Sequence, residues 1–417
     1  MKFLSDIVCQ GVESFGTKLA VKDPQSELSY AELGTASWNV GRFLNGLGIG
    51  AGERVILLLP NSVEFAQAHF GILCAGAISV PCDSAATASS LKEICASCGP
   101  RAIITDPAIW RRIETSGLSI PSFEQVLFFR DGEIGPGRQQ LHVLTAVERL
   151  QSGGTPFKVS VNEEDVATLM YTTGTTGGAK GVPLTHNNVL AALRNIISYI
   201  GYQASDREVV ILPLSHNFGL GHLYCNLISG GAVYTENGMA RVGRVLKQLS
   251  AFKATGFPGT PTGMGILIDK YPEIFQKHGQ RLRFSVVNSA PLPPERTEQL
   301  RQLLPNLDIL VYYGLTEASR STFISLTKEG SDYYRSVGPS MNQVEVKVLD
   351  DQGNEKTVDE VGEVLISGPT VTKGYWSNPE LNAVSFEKGA LRTGDLGYKD
   401  ERGYLFITGR IKDVINV

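Results

Sequence analysis

Between Tyr171 and Gly181 the chain reads Tyr-Thr-Thr-Gly-Thr-Thr-Gly-Gly-Ala-Lys-Gly, with four threonines, four glycines and one lysine in eleven residues. Glycine lets backbone N–H groups turn toward a ligand without a Cβ in the way. Threonine adds hydroxyl donors and Lys180 adds a cation, so the segment carries the groups that hold a polyphosphate. It is not a Walker A loop, which needs Gly-Lys-[Ser/Thr] where Ala179-Lys180-Gly181 stands here. The apolar run Val166–Met170 predicts a strand before it, Pro183 follows, and a helical pattern resumes only near Asn187. The loop is therefore not expected to open directly into a helix.

Three further clusters carry chemistry. Tyr312-Tyr-Gly-Leu-Thr-Glu-Ala318 follows an apolar strand at 308–311, so its side chains are expected at a strand's carboxyl end, where ligands bind in open α/β sheets. It offers an aromatic ring, a hydroxyl and a carboxylate. Leu391-Arg-Thr-Gly-Asp-Leu396 reads as a turn presenting Asp395, a carboxylate able to accept from both hydroxyls of a ribose. Gly409-Arg-Ile-Lys-Asp413 is dense in charge after a strand at 404–407. Singly, each of these is weak, and a Tyr-Gly-x-Thr-Glu segment alone reads first as an ordinary turn; their order behind the threonine–glycine loop is the signal.

The elements that must position them alternate. Ser29-Tyr-Ala-Glu32 is a capping box opening a helix, Val55–Leu59 a buried strand, Glu64–Cys74 a helix, and 77–81 and 102–105 extended. Strand patterns recur near 209–212, 232–235, 254–257, 284–287 and 308–312. From Val337 the texture changes: Val344, Val346 and Val348 alternate with polar residues, as in short antiparallel strands. We therefore expect an α/β protein of two doubly wound subdomains, 1–160 and 161–335, joined by turn-rich stretches at 131–137 and 152–156. A small β-barrel-like subdomain at 336–408 and a tail at 409–417 follow.

Composition bounds the rest. The 417 residues are 42% hydrophobic and 19% charged, with a net charge of −4 that gives no electrostatic reason to expect nucleic acid. The first residues lack a signal-peptide pattern and the longest apolar stretch, 70–82, is too short to span a bilayer, so a soluble, cytoplasmic protein is expected. Six cysteines in this length make no disulfide framework, and Cys95-Ala-Ser-Cys98, at a helix end before Gly99-Pro100, reads as structural.

In this order the motifs resemble the adenylate-forming superfamily: acyl-CoA synthetases, aryl-acid ligases, luciferase-like enzymes and carrier-protein-loading adenylation domains. Leu28-Ser-Tyr-Ala-Glu-Leu33, Gly52-Glu-Arg-Val55 and Ala75-Gly-Ala-Ile-Ser-Val-Pro81 extend the resemblance over nearly the whole chain. It implies ATP-dependent adenylation of a carboxylic acid, with Mg²⁺, and transfer of the acyl group to the thiol of CoA. The alternatives are transfer to a carrier-protein phosphopantetheine and a catalytically dead nucleotide-binding module. By that resemblance Thr172, Thr173, Gly174, Thr175, Thr176, Gly177 and Lys180 hold the β- and γ-phosphates, with Ala179 replacing the usual proline. Tyr313 stacks on adenine, Gly314 beside it belongs to the nucleotide-binding set, and Ile407 closes the other face; Asn288, Ser289, Ala290 and Pro291 read the adenine edge. Thr316 reaches the α-phosphate, Glu317 ligates Mg²⁺, and Asp395 takes the ribose beside Arg410.

His216, in Leu212-Pro-Leu-Ser-His-Asn-Phe-Gly-Leu220, resembles the histidine that orients the substrate carboxylate; Asn217, Phe218, Gly219 and Asn288 are expected to line the acid pocket. No aspartate stands in this segment to meet an α-ammonium group, which argues against an α-amino acid. His186 and His222 are read as structural or surface residues. Lys412 falls at the superfamily's hinge, beyond which the resemblance expects a further domain carrying a lysine for adenylation. On that reading the 417-residue chain binds ATP and acid but adenylates weakly alone.

Overall fold

A computed structural model describes residues 1–116, 125–129, 141–143, 155–174 and 178–413. The turn-rich stretches at 131–137 and 152–154 lie outside them. The fold is mixed α/β, ending in a curled antiparallel half-barrel sheet. Contacts divide it into two units that cut across linear order: residues 1–190 with 213–237 and 375–377, and residues 191–212 with 238–374 and 378–417.

The first unit holds a seven-stranded sheet in the order 141–143, 125–128, 102–105, 54–58, 78–81, 166–174, 178–185. Its strands run parallel except for the last pair, Val166–Gly174 and Gly178–Thr185, which form an antiparallel hairpin. The central strands are apolar on both faces, with Val55 to Leu58 and Ala102 to Ile104 fully buried, as parallel strands covered by helices require. The capping box forms as expected: Ser29 N–H donates to Glu32 Oε2 at 2.7 Å and Glu32 N–H to Ser29 Oγ at 3.3 Å.

The helix Ala88–Cys98 ends on Gly99, whose φ of 54° is the left-handed conformation glycine adopts freely. Cys95 and Cys98 face the core. Burial pushes the Cys95 thiol up to about 12 and Cys98 to about 11, so both stay protonated and unreactive, in keeping with a structural role.

The second unit has parallel strands Phe284–Val287 and Asp308–Tyr313, then Thr322–Ser325 antiparallel to the latter. The expected strand at 254–257 is reduced to single parallel bridges from Gly256 to Glu208 and Phe284. A Cβ on Gly256 would lie 2.5 Å from the Phe284 ring, so the chain passes too closely for a side chain. The half-barrel joins Glu345–Leu349, Gly362–Ser367, Ala390–Lys399, Phe386–Glu387 and Leu405–Arg410, all antiparallel. Val346, Val348, Val364 and Ile366 alternate inward, as their period-two pattern demands.

Two histidines of the first unit are buried neutral. His186 Nδ1 accepts from Leu4 N–H at 3.1 Å, and burial lowers its pKa to about 4. His69, wholly enclosed, has Nδ1 2.9 Å from Ser79 Oγ and Nε2 against the Tyr224 hydroxyl; burial lowers its pKa to about 3. Unfolding releases both to about 6.5, where they bind protons that the fold refuses. The stability they contribute is complete above about pH 6.5 and is lost as pH falls toward their folded values. Asp6 and Asp206, where burial raises the pKa but is outweighed by several hydrogen bonds together with the charge of Lys158 or Arg283, have lowered values and lose theirs only below the ordinary aspartate range. Thermal unfolding should therefore shift down between pH 7 and pH 4.5. A midpoint constant across that window contradicts the neutral burial of both rings.

Candidate active site

In the second unit, the strand Asp308–Tyr313 delivers Tyr313 at its carboxyl end. Gly314 then enters a tight turn in which Leu315 N–H donates to Ala318 O at 3.1 Å and Ala318 N–H to Leu315 O at 3.2 Å. Thr316 and Glu317 are the two corner residues. Glu317 is buried, and its carbonyl accepts from Thr372 N–H at 2.8 Å, pinning the corner to the neighbouring chain. The turn's sharpness is why residue 314 is glycine: a Cβ there would sit 2.4 Å from Arg320 N.

Asp395 reaches the same place from the half-barrel. The sequence predicts a turn around it. Instead Leu391 to Leu396 lie within the strand Ala390–Lys399, in which Gly394 takes a φ of 69° and Asp395 pairs with Arg410 across the ladder. Thr-Gly-Asp looks turn-like locally; within the strand Gly394 N–H donates to Glu363 Oε1 at 3.2 Å and Asp395 N–H to Thr393 Oγ1 at 3.0 Å, while Asp395 stands opposite Arg410 in the ladder. Likewise the strand expected to end at 407 continues to Arg410. Asp395 Oδ2 accepts from the Tyr313 hydroxyl at 2.6 Å and Oδ1 from Arg410 Nε–H at 2.6 Å. Burial, then the adjacent carboxylate, pushes the Tyr313 pKa up, so the phenol remains a donor. Tyr313 and Ile407 pack on the same apolar cluster as Val364 and Leu391.

Asn288, Ser289, Ala290 and Pro291 follow the neighbouring parallel strand Phe284–Val287. Asn288 N–H donates to Gly259 O at 3.2 Å, and Ser289 and Ala290 are exposed. Ser289 holds a φ of 86°, a left-handed conformation costly for a side chain and concentrated at ligand sites. Lys412 lies exposed in a short 3₁₀ turn, Ile411–Asp413.

In the first unit, the threonine–glycine segment corrects a second expectation. The strand does not stop at Met170 but runs to Gly174, so Thr172, Thr173 and Gly174 pair with Lys180, Ala179 and Gly178 across a hairpin. The helix His186–Ile200 begins only after the return strand, so the loop indeed does not open directly into a helix. Thr175, Thr176 and Gly177, at the tip, lie outside the described residues. Lys180 Nζ stands 5.7 Å from the Tyr375 ring centroid, and Trp376 N–H donates to Gly181 O at 2.8 Å. Gly181 has room for no more: a Cβ would lie 3.0 Å from Trp376 Cβ. Tyr375 and Trp376 are absent from the sequence reading; two adjacent aromatics after Gly374 were the available signal.

His216 caps the helix Asn217–Ser229 without a side-chain cap bond and is exposed. Asn217 and Phe218 are half-buried and Gly219 is buried. Asn61 braces the approach, its Oδ1 accepting from Leu214 N–H at 2.8 Å. His222, one turn on, is buried with its ring 5.4 Å from that of Phe218.

Among the described residues no group of three His, Cys, Asp or Glu is placed to hold a metal, and no helix is long and apolar enough to cross a membrane.

The sequence profile described as "AMP-binding enzyme" matches residues 10–376. A probable CoA ligase of Humulus lupulus, CCL9, is 33% identical over 396 residues, spanning 93% of this chain and 73% of that protein. The oxalate–CoA ligase of Arabidopsis thaliana is 30% identical, over 90% of this chain and 72% of its own length. The crystal structure of the anthranilate CoA ligase AuaEII with anthranoyl-AMP superposes with a TM-score of 0.89 at 30% identity, covering 100% of this chain and 79% of that one.

Proposed function

This chain belongs to the AMP-binding enzyme family, and on that premise we propose that it joins a carboxylic acid, acyl or aryl, to the AMP moiety of ATP with release of pyrophosphate, the acyl group then passing to the thiol of CoA. The observation that carries this reading is the convergence of Tyr313, Asp395 and Arg410 beside the turn bearing Thr316 and Glu317. It sets an aromatic ring, a diol-accepting carboxylate, a hydroxyl and a second carboxylate around the space that one nucleotide would fill.

The chemistry sets the requirements. A carboxylate oxygen attacks the α-phosphorus, the bond to the β-phosphate oxygen breaks, and its electron pair leaves with pyrophosphate. The thiolate sulfur later attacks the acyl carbon and AMP departs. Both partners in the first step are anions, so the site must neutralise charge and align them. Residues Thr172 to Lys180, including Thr175, Thr176 and Gly177, hold the β- and γ-phosphates, with Lys180 as the cation.

The ring of Tyr313 stacks on adenine, Ile407 covers the other face, and Asn288 to Pro291 line its edge. Thr316 donates to the α-phosphate. Glu317 is a single buried carboxylate, a donor set suited to Mg²⁺, which keeps waters and takes phosphate oxygens as its other ligands. When bound there, Mg²⁺ would offset the phosphate charge. His216, with Asn217, Phe218 and Gly219, meets the acid's carboxylate, and Lys412 serves as a hinge. All six cysteines are free, which suits a cytoplasmic enzyme.

Hydroxamate trapping tests this with the full-length protein, ATP, Mg²⁺ and a panel of fatty, aryl, dicarboxylic and α-amino acids. Pyrophosphate and hydroxamate are expected from an acyl or aryl acid, and thioester on adding CoA. Response to α-amino acids alone overturns the reading of the His216 segment. Thioester only with a phosphopantetheinylated carrier protein assigns the other acceptor, and no pyrophosphate with any acid refutes adenylation.

A further inference from the structure

The geometry points to the Tyr313 phenol, beyond its ring, as a determinant of nucleotide selectivity: it fixes the carboxylate that receives a nucleoside's cis-diol. This rests on the adenylation reading above. A carboxylate offers about four acceptor directions, two on each oxygen. Tyr313 takes one on Oδ2 and Arg410 one on Oδ1, both at 2.6 Å. One acceptor remains on each oxygen, and two adjacent acceptors match the two hydroxyls of a ribose.

Held at both oxygens, the group cannot rotate about its Cβ–Cγ bond, so the pair is presented in one orientation. Its backbone is fixed too: Asp395 N–H donates to Thr393 Oγ1 at 3.0 Å, and that hydroxyl donates to Val364 O at 2.7 Å. Nor is the phenol a mobile cover standing in for a ribose hydroxyl. Tyr313 is a strand residue, its N–H bonded to Thr322 Oγ1 at 3.3 Å and its ring packed on the half-barrel core. A phenol so anchored orients Asp395 rather than competing for it, and makes a charge-assisted bond of the stronger kind.

Tyr313→Phe keeps the ring and removes the donor. Calorimetry with Mg²⁺ compares ATP, 2′-deoxy-ATP and 3′-deoxy-ATP on the full-length wild-type and variant proteins. Wild type is expected to prefer ATP by about tenfold, and Tyr313→Phe to weaken ATP about five- to tenfold while changing each deoxy analogue by less than about twofold. Thr393→Val, which keeps the ring but removes the hydroxyl that accepts from Asp395 N–H and lies against the Tyr313 phenol, is expected to show a smaller loss, again confined to ATP. Thermal unfolding of each variant checks the fold. Equal weakening of all three nucleotides by Tyr313→Phe, or tighter ATP binding, overturns the inference while leaving the ribose role of Asp395 intact. A wild type indifferent to both hydroxyls overturns that role as well.

Discussion

Glu317→Gln is expected to slow ATP–pyrophosphate exchange by about 10²-fold with little change in folding. Glutamine has nearly the shape of glutamate, so the reciprocal backbone bonds between Leu315 and Ala318 and the bond from Thr372 N–H to the residue-317 carbonyl survive. What is lost is the negative charge of a buried carboxylate at the corner of the turn. In the proposed reaction that charge holds the divalent cation against phosphates, and anion–anion repulsion returns without it. The loss should shrink as Mg²⁺ is raised, because added metal replaces lost affinity. Exchange assays across a Mg²⁺ series, with an unfolding curve for each protein, read both effects. Exchange within about threefold of wild type at every Mg²⁺ concentration would reduce Glu317 to a turn residue with no part in the chemistry.

Gly314→Ala acts on the same turn through space rather than charge. The added Cβ would lie 2.4 Å from Arg320 N and 2.8 Å from Ala318 O, both backbone atoms that cannot swing aside. The turn must open, at a cost of about 2–4 kcal/mol in stability. Thr316 and Glu317 move with it, and a displacement near 1 Å is enough to lower a positioned reaction by about 10²-fold. Denaturant unfolding gives the first quantity and pyrophosphate exchange the second. Gly46→Ala is the control: nothing lies within 4 Å of its Cβ at the end of a helix, so stability there should hold or rise slightly. A Gly314→Ala protein as stable and active as the Gly46→Ala one would refute the steric argument.

How much of this was legible in the sequence depended on whether the signal was local. The strands at 232–235 and 284–287 are apolar runs and were placed to the residue, and Ser29 and Glu32 sit three apart as a capping box must. The half-barrel showed in the alternation of Val344, Val346 and Val348. The misread segments were those stabilised by partners far away in sequence. Thr172 and Thr173 look like loop residues because Gly174, Gly177 and Gly178 follow them closely; they are strand because their backbone pairs with Lys180 and Ala179. Asp395 has the local sequence of a turn residue, and the Arg410 that stands opposite it in the ladder belongs to the next strand. The Tyr313–Asp395 bond and the His69–Tyr224 contact join segments of unlike pattern, and no window of neighbouring residues contains both partners.

The clasp of Trp376 on Gly181 also bears on how the chain folds. Residues 375–377 belong to the first unit although the rest of that unit ends at Asn237. During synthesis the hairpin at 166–185 emerges long before the residue whose N–H will bind its return strand. Such pairing closes a long loop late, which raises contact order and slows the final step of folding. Until Trp376 arrives, the carbonyl of Gly181 lacks that donor and the apolar cluster holding Leu169 lacks the indole that packs against it, the kind of exposure that chaperones recognise and aggregation exploits. The hairpin would then be the last part of its unit to gain protection from hydrogen exchange on refolding, and the first to lose it when residues 375–377 are perturbed.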